Sequence, residues 1–372
     1  MNHIVSFWCI ALLGMNCIAS AADTPTRRPR PPAVVSPEIH SDGHVTFRLQ
    51  APKATEVIVS GQWTIERISM IQGSNGLWSV TVGPIEPGVW EYSFQVDGLA
   101  MIDPANPAIK PMRLPRTSIL HLPGQPPLIH DFQDVPHGVI HQHTYRSPVL
   151  GHLRELVVYT PPGYDQQPDA RFPTLYLQHG SGDNQATWTV HGKAHWILDN
   201  LLAQGRAKAM VVVMMDGHAV SKDGSGDPQN NTALFERDLL ENVLPFIEKN
   251  YRVKTDAASR GIAGLSMGGG QALAIGLRHP DCFAWVGGFS SGIPEQNVIA
   301  DALAHPEAIN QQLKLLWIAC GKDDFLLARN MEFIKLLQAR NIHHEWHQTA
   351  GTHSWPVWRG YLAEFAPRLF QP

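Results

Sequence analysis

This sequence has no excess of basic residues, and that absence excludes one class of function. The 372 residues contain 29 Lys and Arg against 33 Asp and Glu, a formal net charge of -4. Proteins that bind nucleic acid neutralise phosphates with a strongly basic surface. We therefore expect no nucleic-acid partner.

After the N-terminal residues, no apolar run is long enough to span a bilayer. The N-terminus itself has an apolar stretch from Ile4 to Leu13, followed by the small-residue pattern Ile18-Ala-Ser-Ala-Ala22. This arrangement is typical of a secretory signal peptide over residues 1–22. No Lys or Arg occurs before Arg27, so a membrane-anchored N-terminus is the alternative. We expect a secreted or periplasmic protein with no membrane contact after cleavage.

Cysteine is also scarce, with four in the chain. Removal of the predicted signal peptide takes Cys9 and Cys17 and leaves Cys282 and Cys320. These two fall at opposite ends of neighbouring predicted strands, and a disulfide needs its two Cα atoms close together. We therefore expect two free thiols.

Metal-ligand spacings are missing as well. His344-Glu-Trp-His347 lies in a predicted strand and is not the H-E-x-x-H helix of zinc proteases. The two remaining cysteines stand in unrelated contexts, so the sequence has no zinc signature. We expect no metal and no cofactor.

The N-terminal part of the mature chain alternates in hydrophobicity. Residues 23–36 are rich in proline and predict an extended linker. From 37 to 125, short runs such as Val45, Phe47 and Leu49 alternate with polar residues, and turn signals separate them. This pattern predicts a small β-sandwich. Its alternating aromatic residues favour core packing, and the loop residue Trp63 is the better candidate for a ligand contact.

From 138 to 372 the pattern changes to continuous apolar runs separated by helical segments. The predicted strands are 156–160, 174–178, 210–216, 261–264, 284–289, 315–320 and 342–348. The predicted helices lie near 194–204, 233–250, 269–279 and 325–340. Such alternation predicts an α/β domain with a mainly parallel sheet covered on both faces.

A candidate nucleophile lies in Gly264-Leu-Ser-Met-Gly268, where a short apolar run meets small, helix-compatible residues. This is the strand, sharp turn and helix of a nucleophile elbow, with Ser266 at its tip. Gly288-Phe-Ser-Ser-Gly292 also reads G-x-S-x-G, but Pro294 follows it and no small-residue helix does. We therefore favour Ser266 over Ser290.

A serine nucleophile needs a base, and the base needs an acid that orients it. In α/β-hydrolases these follow in the order Ser, Asp or Glu, His. Asp323 and Asp324 follow the 315–320 strand, and we favour Asp324 because it lies further into the loop. His353 follows the last predicted strand, whereas His343, His344 and His347 lie within it. His353 is therefore the candidate base.

An acyl transfer also needs two backbone N–H groups that stabilise the developing oxyanion. One is expected from Met267, the residue after the nucleophile. The other is expected from the Gly-containing loop after the 174–178 strand, at Ser181.

Several further segments strengthen this interpretation: Leu177-Gln-His-Gly180 with Trp188, Ile197-Leu-Asp-Asn-Leu201, Gly217-His218, Asn250-Tyr-Arg-Val253 and His353-Ser-Trp-Pro-Val-Trp358. With the elbow, they resemble carbohydrate esterase family 1, the feruloyl and acetylxylan esterases and their relatives such as esterase D. In the first region, Phe47-Arg-Leu-Gln-Ala-Pro52, Val59-Ser-Gly-Gln-Trp63 and Tyr92-Ser-Phe-Gln-Val-Asp-Gly98 resemble the early-set immunoglobulin-like domains that precede some esterases.

The resemblance implies an α/β-hydrolase fold behind an immunoglobulin-like sandwich. It implies a secreted serine carboxylesterase that removes feruloyl or acetyl groups from plant cell-wall xylan, with acylated xylan or xylo-oligosaccharide as substrate. The implied residues are the triad Ser266, Asp324 and His353, the oxyanion donors Ser181 and Met267, and the substrate-binding Trp188, His218 and Trp355. The alternatives are a siderophore esterase of the enterochelin type and a non-catalytic carbohydrate-binding protein. No feature of the sequence specifies an oligomeric state.

Overall fold

The structure is a computed structural model that describes residues 33–220 and 230–371. The predicted signal peptide and residues 23–32 of the predicted linker lie outside this range. By their contacts, the residues from Val34 onward form one unit. Ser36, at the end of the predicted linker, is buried, and its Oγ donates a hydrogen bond of 2.6 Å to Asp103. Ser36 therefore packs with the strands that follow it.

Short antiparallel strands between residues 38 and 122 form two sheets. They are β1 (Glu38–Ile39), β2 (Val45–Gln50), β3 (Val57–Gly61), β4 (Ile68–Ser69), β5 (Ile71–Gln72), β6 (Leu77–Val82), β7 (Gly88–Val96), β8 (Leu99–Met101) and β9 (Ser118–Leu122). One sheet has the order β1-β2-β6-β5, and the other has β4-β3-β7-β8 with β9 paired to β7. The alternation of apolar and polar residues predicted this β-rich N-terminal region.

The inward-facing residues of these strands form one apolar core. Val45, Phe47 and Leu49 of β2 are buried in it, together with Phe94 of β7. Trp63 packs against the same core, because its ring stacks on Phe47 with a centroid distance of 5.5 Å. The aromatic side chains of this region thus serve mainly to hold the two sheets together.

The second region is built on a sheet of eight strands in the order β10-β11-β13-β12-β14-β15-β16-β17. Their bounds are β10 (Val139–Ser147), β11 (His152–Thr160), β12 (Thr174–Gln178), β13 (Val211–Met215), β14 (Arg260–Leu265), β15 (Trp285–Phe289), β16 (Leu315–Gly321) and β17 (Glu345–Thr349). β10, β11 and β13 pair antiparallel, and the pairs from β13 to β17 are parallel. The mainly parallel sheet is confirmed.

The burial of each strand explains whether an apolar run in the sequence predicts it. The central strands β12, β13, β14, β15 and β16 are buried along their whole length, which requires continuous apolar runs. β10 is an edge strand in which only two residues are buried, and it contains two histidines, so no such run marks it. β17, at the other edge, begins at Glu345, later than the predicted start at 342.

Helices cover both faces of the sheet. They are α1 (Thr187–Val190), α2 (Ala194–Ala203), α3 (Asn231–Asp238), α4 (Leu244–Asn250), α5 (Met267–Arg278), α6 (Ala300–Ala304), α7 (Pro306–Gln312), α8 (Leu327–Ala339) and α9 (Trp355–Phe365). A π-helical turn, Leu239–Val243, joins α3 to α4, so the predicted helix 233–250 is irregular in the middle. α2 and α9 pack on one face of the sheet, and α3 to α5 and α8 pack on the other.

In the part of the chain that the structure describes, no helix combines the length and the hydropathy needed to cross a membrane. Cys282 and Cys320 are free thiols.

Candidate active site

Ser266 occupies the sharp turn between β14 and α5. Its backbone angles are φ 53° and ψ −116°, a strained conformation for a residue with a side chain. The flanking glycines are required by close approach: a Cβ on Gly264 would lie 2.4 Å from the Gly268 carbonyl oxygen, and one on Gly268 would lie 2.3 Å from the His179 oxygen. The sequence therefore folds here into an elbow that presents the Ser266 hydroxyl above the sheet.

The second G-x-S-x-G segment lies beside the first but has a different local structure. Ser290 follows β15, is fully buried, and its N–H donates to the Ala319 oxygen at 2.7 Å. The next helix, α6, begins only at Ala300. Gly292, the last residue of the segment, donates its N–H to the Ser266 carbonyl oxygen at 2.8 Å. This segment supports the elbow from the neighbouring strand.

The structure brings Ser266, His353 and Asp324 into one hydrogen-bonded chain. His353 Nε2 lies 3.0 Å from Ser266 Oγ, and His353 Nδ1 lies 2.9 Å from Asp324 Oδ2 and 3.0 Å from Oδ1. Asp324 follows β16 and His353 follows β17, so both stand at the carboxyl ends of parallel strands, as Ser266 does. With the proton on Nδ1 directed at the carboxylate, Nε2 is able to accept the hydroxyl proton of Ser266.

The environment of Asp324 keeps its carboxylate charged. Burial of the side chain opposes ionisation, but the hydrogen bonds from His353 and from the Leu326 N–H outweigh it and hold the pKa of Asp324 below its usual value. The neighbouring Asp323 is exposed, and its backbone N–H donates to the Gly351 oxygen. Of the two adjacent carboxylates, only Asp324 contacts His353.

This difference yields a prediction. Asp324→Asn should lower kcat by about 10⁴-fold, because an amide can favour the wrong imidazole tautomer and no longer stabilises the imidazolium. Asp323→Asn is the matched control, since it makes the same chemical change one residue away on an exposed side chain, and it should leave kcat nearly unchanged. Steady-state kinetics on a small soluble ester measures both. A large loss in Asp323→Asn with Asp324→Asn unaffected would reverse the assignment.

The other candidate histidines make different contacts. The His347 ring, in edge strand β17, stacks on Trp317 with a centroid distance of 4.9 Å. His344 Nδ1 lies 2.8 Å from the Ile342 carbonyl oxygen. Over the described ranges 33–220 and 230–371, no group of three His, Cys, Asp or Glu side chains is arranged to hold a metal ion.

Residues 179–187, which follow β12 and end at the first residue of α1, lie against Ser266; we name them the oxyanion loop after the donor expected at Ser181. A Cβ built on Gly180 would lie 3.3 Å from the Ser266 Cβ, which places the next residue, Ser181, at the mouth of the site. Ser181 is exposed. Met267 is the first residue of α5, where N–H groups have no acceptor within the helix. Both expected donors therefore flank Ser266.

Two histidines tie the oxyanion loop to the segment that follows β13. His179 Nε2 accepts the Gly217 N–H at 2.9 Å, and His218 Nε2 accepts the Gly182 N–H at 3.1 Å. Burial, reinforced by the neighbouring His179, lowers the pKa of His218 to about 4. The ring is therefore neutral near pH 7, as an acceptor must be. His218 also lines a polar cavity of about 670 Å³ together with Arg113, His152, Glu155, Asn184 and Gln185.

Two residues expected to bind substrate do not reach the surface of the site. Trp188 and Trp355 are each only 1% exposed, and their rings pack edge to face with centroids 4.9 Å apart. Trp188 Nε1 donates to the Gln178 carbonyl oxygen at 2.9 Å. The two rings form part of the apolar layer beneath the site, so their burial does not fit the expected contact with substrate.

One residue at the site was missed by the sequence reasoning. Phe325 directly follows Asp324, is 75% exposed, and its ring lies 4.4 Å from the His353 ring between centroids. An exposed aromatic side chain next to a candidate triad acid was the signal that could have identified it. A second cavity, of about 350 Å³, lies on the other side of the elbow and includes Met267, Gly292 and Ile293 in its lining.

The strand order and the elbow define an α/β-hydrolase-type fold. The chain belongs to the Esterase family, which it matches over residues 147–369. It is 33% identical over 342 residues to an endo-1,4-beta-xylanase/feruloyl esterase of Xylanibacter ruminicola, a match that covers 90% of this chain and 46% of that protein. The chain thus spans less than half the length of this curated relative.

Two solved structures extend the comparison. A ferulic acid esterase is 30% identical, with a TM-score of 0.56, and the match covers 63% of this chain and 99% of that one. The enterobactin esterase FES from Shigella flexneri has a TM-score of 0.65 over 88% of this chain and 93% of its own, and at 20% identity this is a likeness of fold. The resemblance to the feruloyl esterases of carbohydrate esterase family 1 is confirmed.

Proposed function

We propose that this esterase is a serine carboxylesterase that removes feruloyl or acetyl groups from plant cell-wall xylan. The observation that carries the proposal is the hydrogen-bonded chain from Ser266 Oγ through His353 to the buried carboxylate of Asp324, at 3.0 and 2.9 Å. A serine hydroxyl is a weak nucleophile unless a positioned base removes its proton. These three residues, at the ends of three strands, supply that arrangement.

In the proposed acylation step, His353 Nε2 accepts the proton of Ser266 as Oγ attacks the ester carbonyl carbon. The negative charge on the tetrahedral oxygen is stabilised by the N–H groups of Met267 and Ser181. The intermediate collapses when the bond to the sugar oxygen breaks and His353 returns the proton to that oxygen. The products are a free sugar hydroxyl and an acyl group on Ser266.

Deacylation repeats the sequence with water. His353 takes a proton from the water molecule as its oxygen attacks the acyl carbonyl, and the same two N–H groups hold the oxyanion. Collapse breaks the bond to Ser266 Oγ, which regains its proton from His353. Asp324 stays ionised throughout and stabilises the imidazolium that forms twice in each cycle.

The choice of xylan is supported by the relatives and by the surface of the site. Two relatives are named as a xylanase/feruloyl esterase and a ferulic acid esterase. The polar cavity beside His218 offers hydrogen-bonding side chains to sugar hydroxyls. The leaving sugar oxygen must come close to His353, where the exposed ring of Phe325 offers an apolar face. We propose that the protein meets this substrate outside the cytoplasm, after cleavage of the predicted signal peptide.

A substrate panel tests this proposal. We expect hydrolysis of methyl ferulate or of acetylated xylan, with a kcat/KM at least about tenfold above that for a catecholate triester. A tenfold preference corresponds to about 1.4 kcal/mol of differential transition-state binding. Release of ferulate or acetate is followed by chromatography. Preferred hydrolysis of the triester would favour the siderophore-esterase alternative. Binding of xylan without hydrolysis of any ester would favour the non-catalytic one.

A further inference from the structure

A segment of the N-terminal sandwich region lies directly against the oxyanion loop. Residues 110–113, between β8 and β9, run beside residues 182–187. The Arg113 N–H donates to the Gly182 carbonyl oxygen at 2.9 Å, and Met112 forms an isolated antiparallel β-bridge with Asp183. The Thr187 hydroxyl donates to the Pro111 oxygen at 2.7 Å. These contacts tie the loop to a part of the chain up to 76 residues earlier.

A buried ion pair reinforces the same contact. Lys110 Nζ lies 3.0 Å from Asp183 Oδ1 and 3.0 Å from Glu91 Oε1, and all three side chains are largely buried. Burial raises the pKa of Asp183, although the Lys110 charge opposes the increase. Lys110 thus links strand β7 of the sandwich, which carries Glu91, to the loop that carries the expected oxyanion donor.

The backbone of the oxyanion loop around Ser181 depends on anchors from both sides. Ser181 is exposed and stands between Gly180 and Gly182, and Gly182 has a φ of +83°. Glycine-rich backbone loses more conformational freedom on ordering than other sequences do. The Gly182 residue is held at both ends, with its N–H bonded to His218 and its carbonyl oxygen bonded to the Arg113 N–H. Thus one of its two anchors comes from the sandwich region.

We propose that the sandwich region is a positioning element for the oxyanion hole, in which Lys110 and the backbone of residues 111–113 fix the Ser181 N–H opposite Met267. This inference rests on the proposed esterase function. Oxyanion donors are effective because they are fixed before charge develops. If the loop lost its contacts with the sandwich region, the site would still bind the ground-state ester but would stabilise the tetrahedral transition state less well. The sandwich region would then raise kcat and would not act by binding polymer.

The test uses Asp183→Asn in the full chain, with Asp103→Asn as the matched control. Each variant makes the same chemical change on a buried carboxylate, but only Asp183 belongs to the oxyanion loop and pairs with Lys110. We expect Asp183→Asn to lower kcat by about 10- to 100-fold with little change in KM, since a misplacement of about 1 Å can cost that much. Asp103→Asn should also lower the melting temperature but leave kcat within about threefold, because the Asp103 carboxylate accepts hydrogen bonds from Ser36, Tyr92 and the Ala105 N–H and not from Lys110 or the loop.

A second readout does not depend on activity. Hydrogen exchange followed by mass spectrometry should show faster exchange in the peptide that spans residues 179–187 for Asp183→Asn and not for Asp103→Asn. If Asp183→Asn folds poorly, Thr187→Val provides a second version, which removes the hydroxyl that donates to the Pro111 oxygen and accepts the Asn184 N–H while it keeps the side-chain shape. It should show the same selective fall in kcat and the same faster exchange.

Equal losses of kcat in Asp183→Asn and Asp103→Asn, or unchanged loop exchange in both loop variants, would overturn the positioning role. Failure of the proposed esterase function would look different, because the wild-type protein itself would then hydrolyse none of the esters, while the exchange experiment would still report the state of the loop.

Discussion

Ser266→Ala is expected to lower kcat by about 10⁴- to 10⁶-fold and to leave the melting temperature nearly unchanged. The Ser266 hydroxyl is the atom that forms the acyl intermediate in the proposed mechanism, and its hydrogen-bond partner is His353 at 3.0 Å. Removal of one oxygen at the tip of the elbow leaves the close contacts of Gly264 and Gly268 in place. The fold should therefore survive a change that abolishes the chemistry. Steady-state rates on a small ester and thermal unfolding measure the two effects.

Ser290→Ala is the matched control. Ser290 has the same local sequence pattern and a positive φ of 47°, but it is fully buried next to the elbow. We expect a small loss of kcat, far below that of Ser266→Ala, because the Ser290 hydroxyl meets the proposed triad only at Asp324, which keeps its bonds to His353 and to the Leu326 N–H. Inactivation by Ser290→Ala together with an active Ser266→Ala protein would show that the wrong elbow had been chosen.

His353→Ala should also lower kcat by about 10⁴- to 10⁶-fold, because without the imidazole neither the Ser266 proton nor the leaving-group proton can be transferred. Members of a triad act as a unit, so Ser266→Ala/His353→Ala should be hardly slower than either single variant. The same small ester is used for all three proteins. Losses that multiply in the double variant would indicate that the two residues do not share one step.

His344→Ala controls for the loss of a histidine ring near the C-terminus. His344 Nδ1 is held by the Ile342 carbonyl oxygen, and the residue immediately precedes edge strand β17. We expect its kcat to equal that of the wild type. A His344→Ala protein as slow as His353→Ala would contradict the assignment of the base.

Much of the hydrolase region was predictable because its buried strands and its elbow both leave short, local patterns in the sequence. The central strands are buried on both faces and therefore appear as apolar runs. The elbow needs small residues at fixed spacing around Ser266, and the order of Ser266, Asp324 and His353 follows the order of the strands. The edge strand β10 gives no such signal, since only two residues of its sequence Val-Ile-His-Gln-His-Thr-Tyr-Arg-Ser are buried.

The features that the sequence did not predict depend on contacts between distant segments. A tryptophan can lie in a cleft or beneath it, and only the packing of Trp188 against Trp355 distinguishes the two cases. Lys110 has no local feature that distinguishes it from a surface lysine. Its role depends on Glu91 and on Asp183, which lies 73 residues after Lys110 in the sequence. The three side chains meet only in the folded chain.

The most direct test of the proposed mechanism is to treat the protein with a serine-directed fluorophosphonate and map the modified residue by tryptic digestion and mass spectrometry. Ser266 and Ser290 fall in different tryptic peptides, because Arg278 lies between them. The mechanism predicts a single phosphonyl group on the peptide of residues 261–278, at Ser266, with loss of esterase activity in proportion to labelling. Labelling of residues 279–314 at Ser290, or full activity after complete labelling of Ser266, would contradict it.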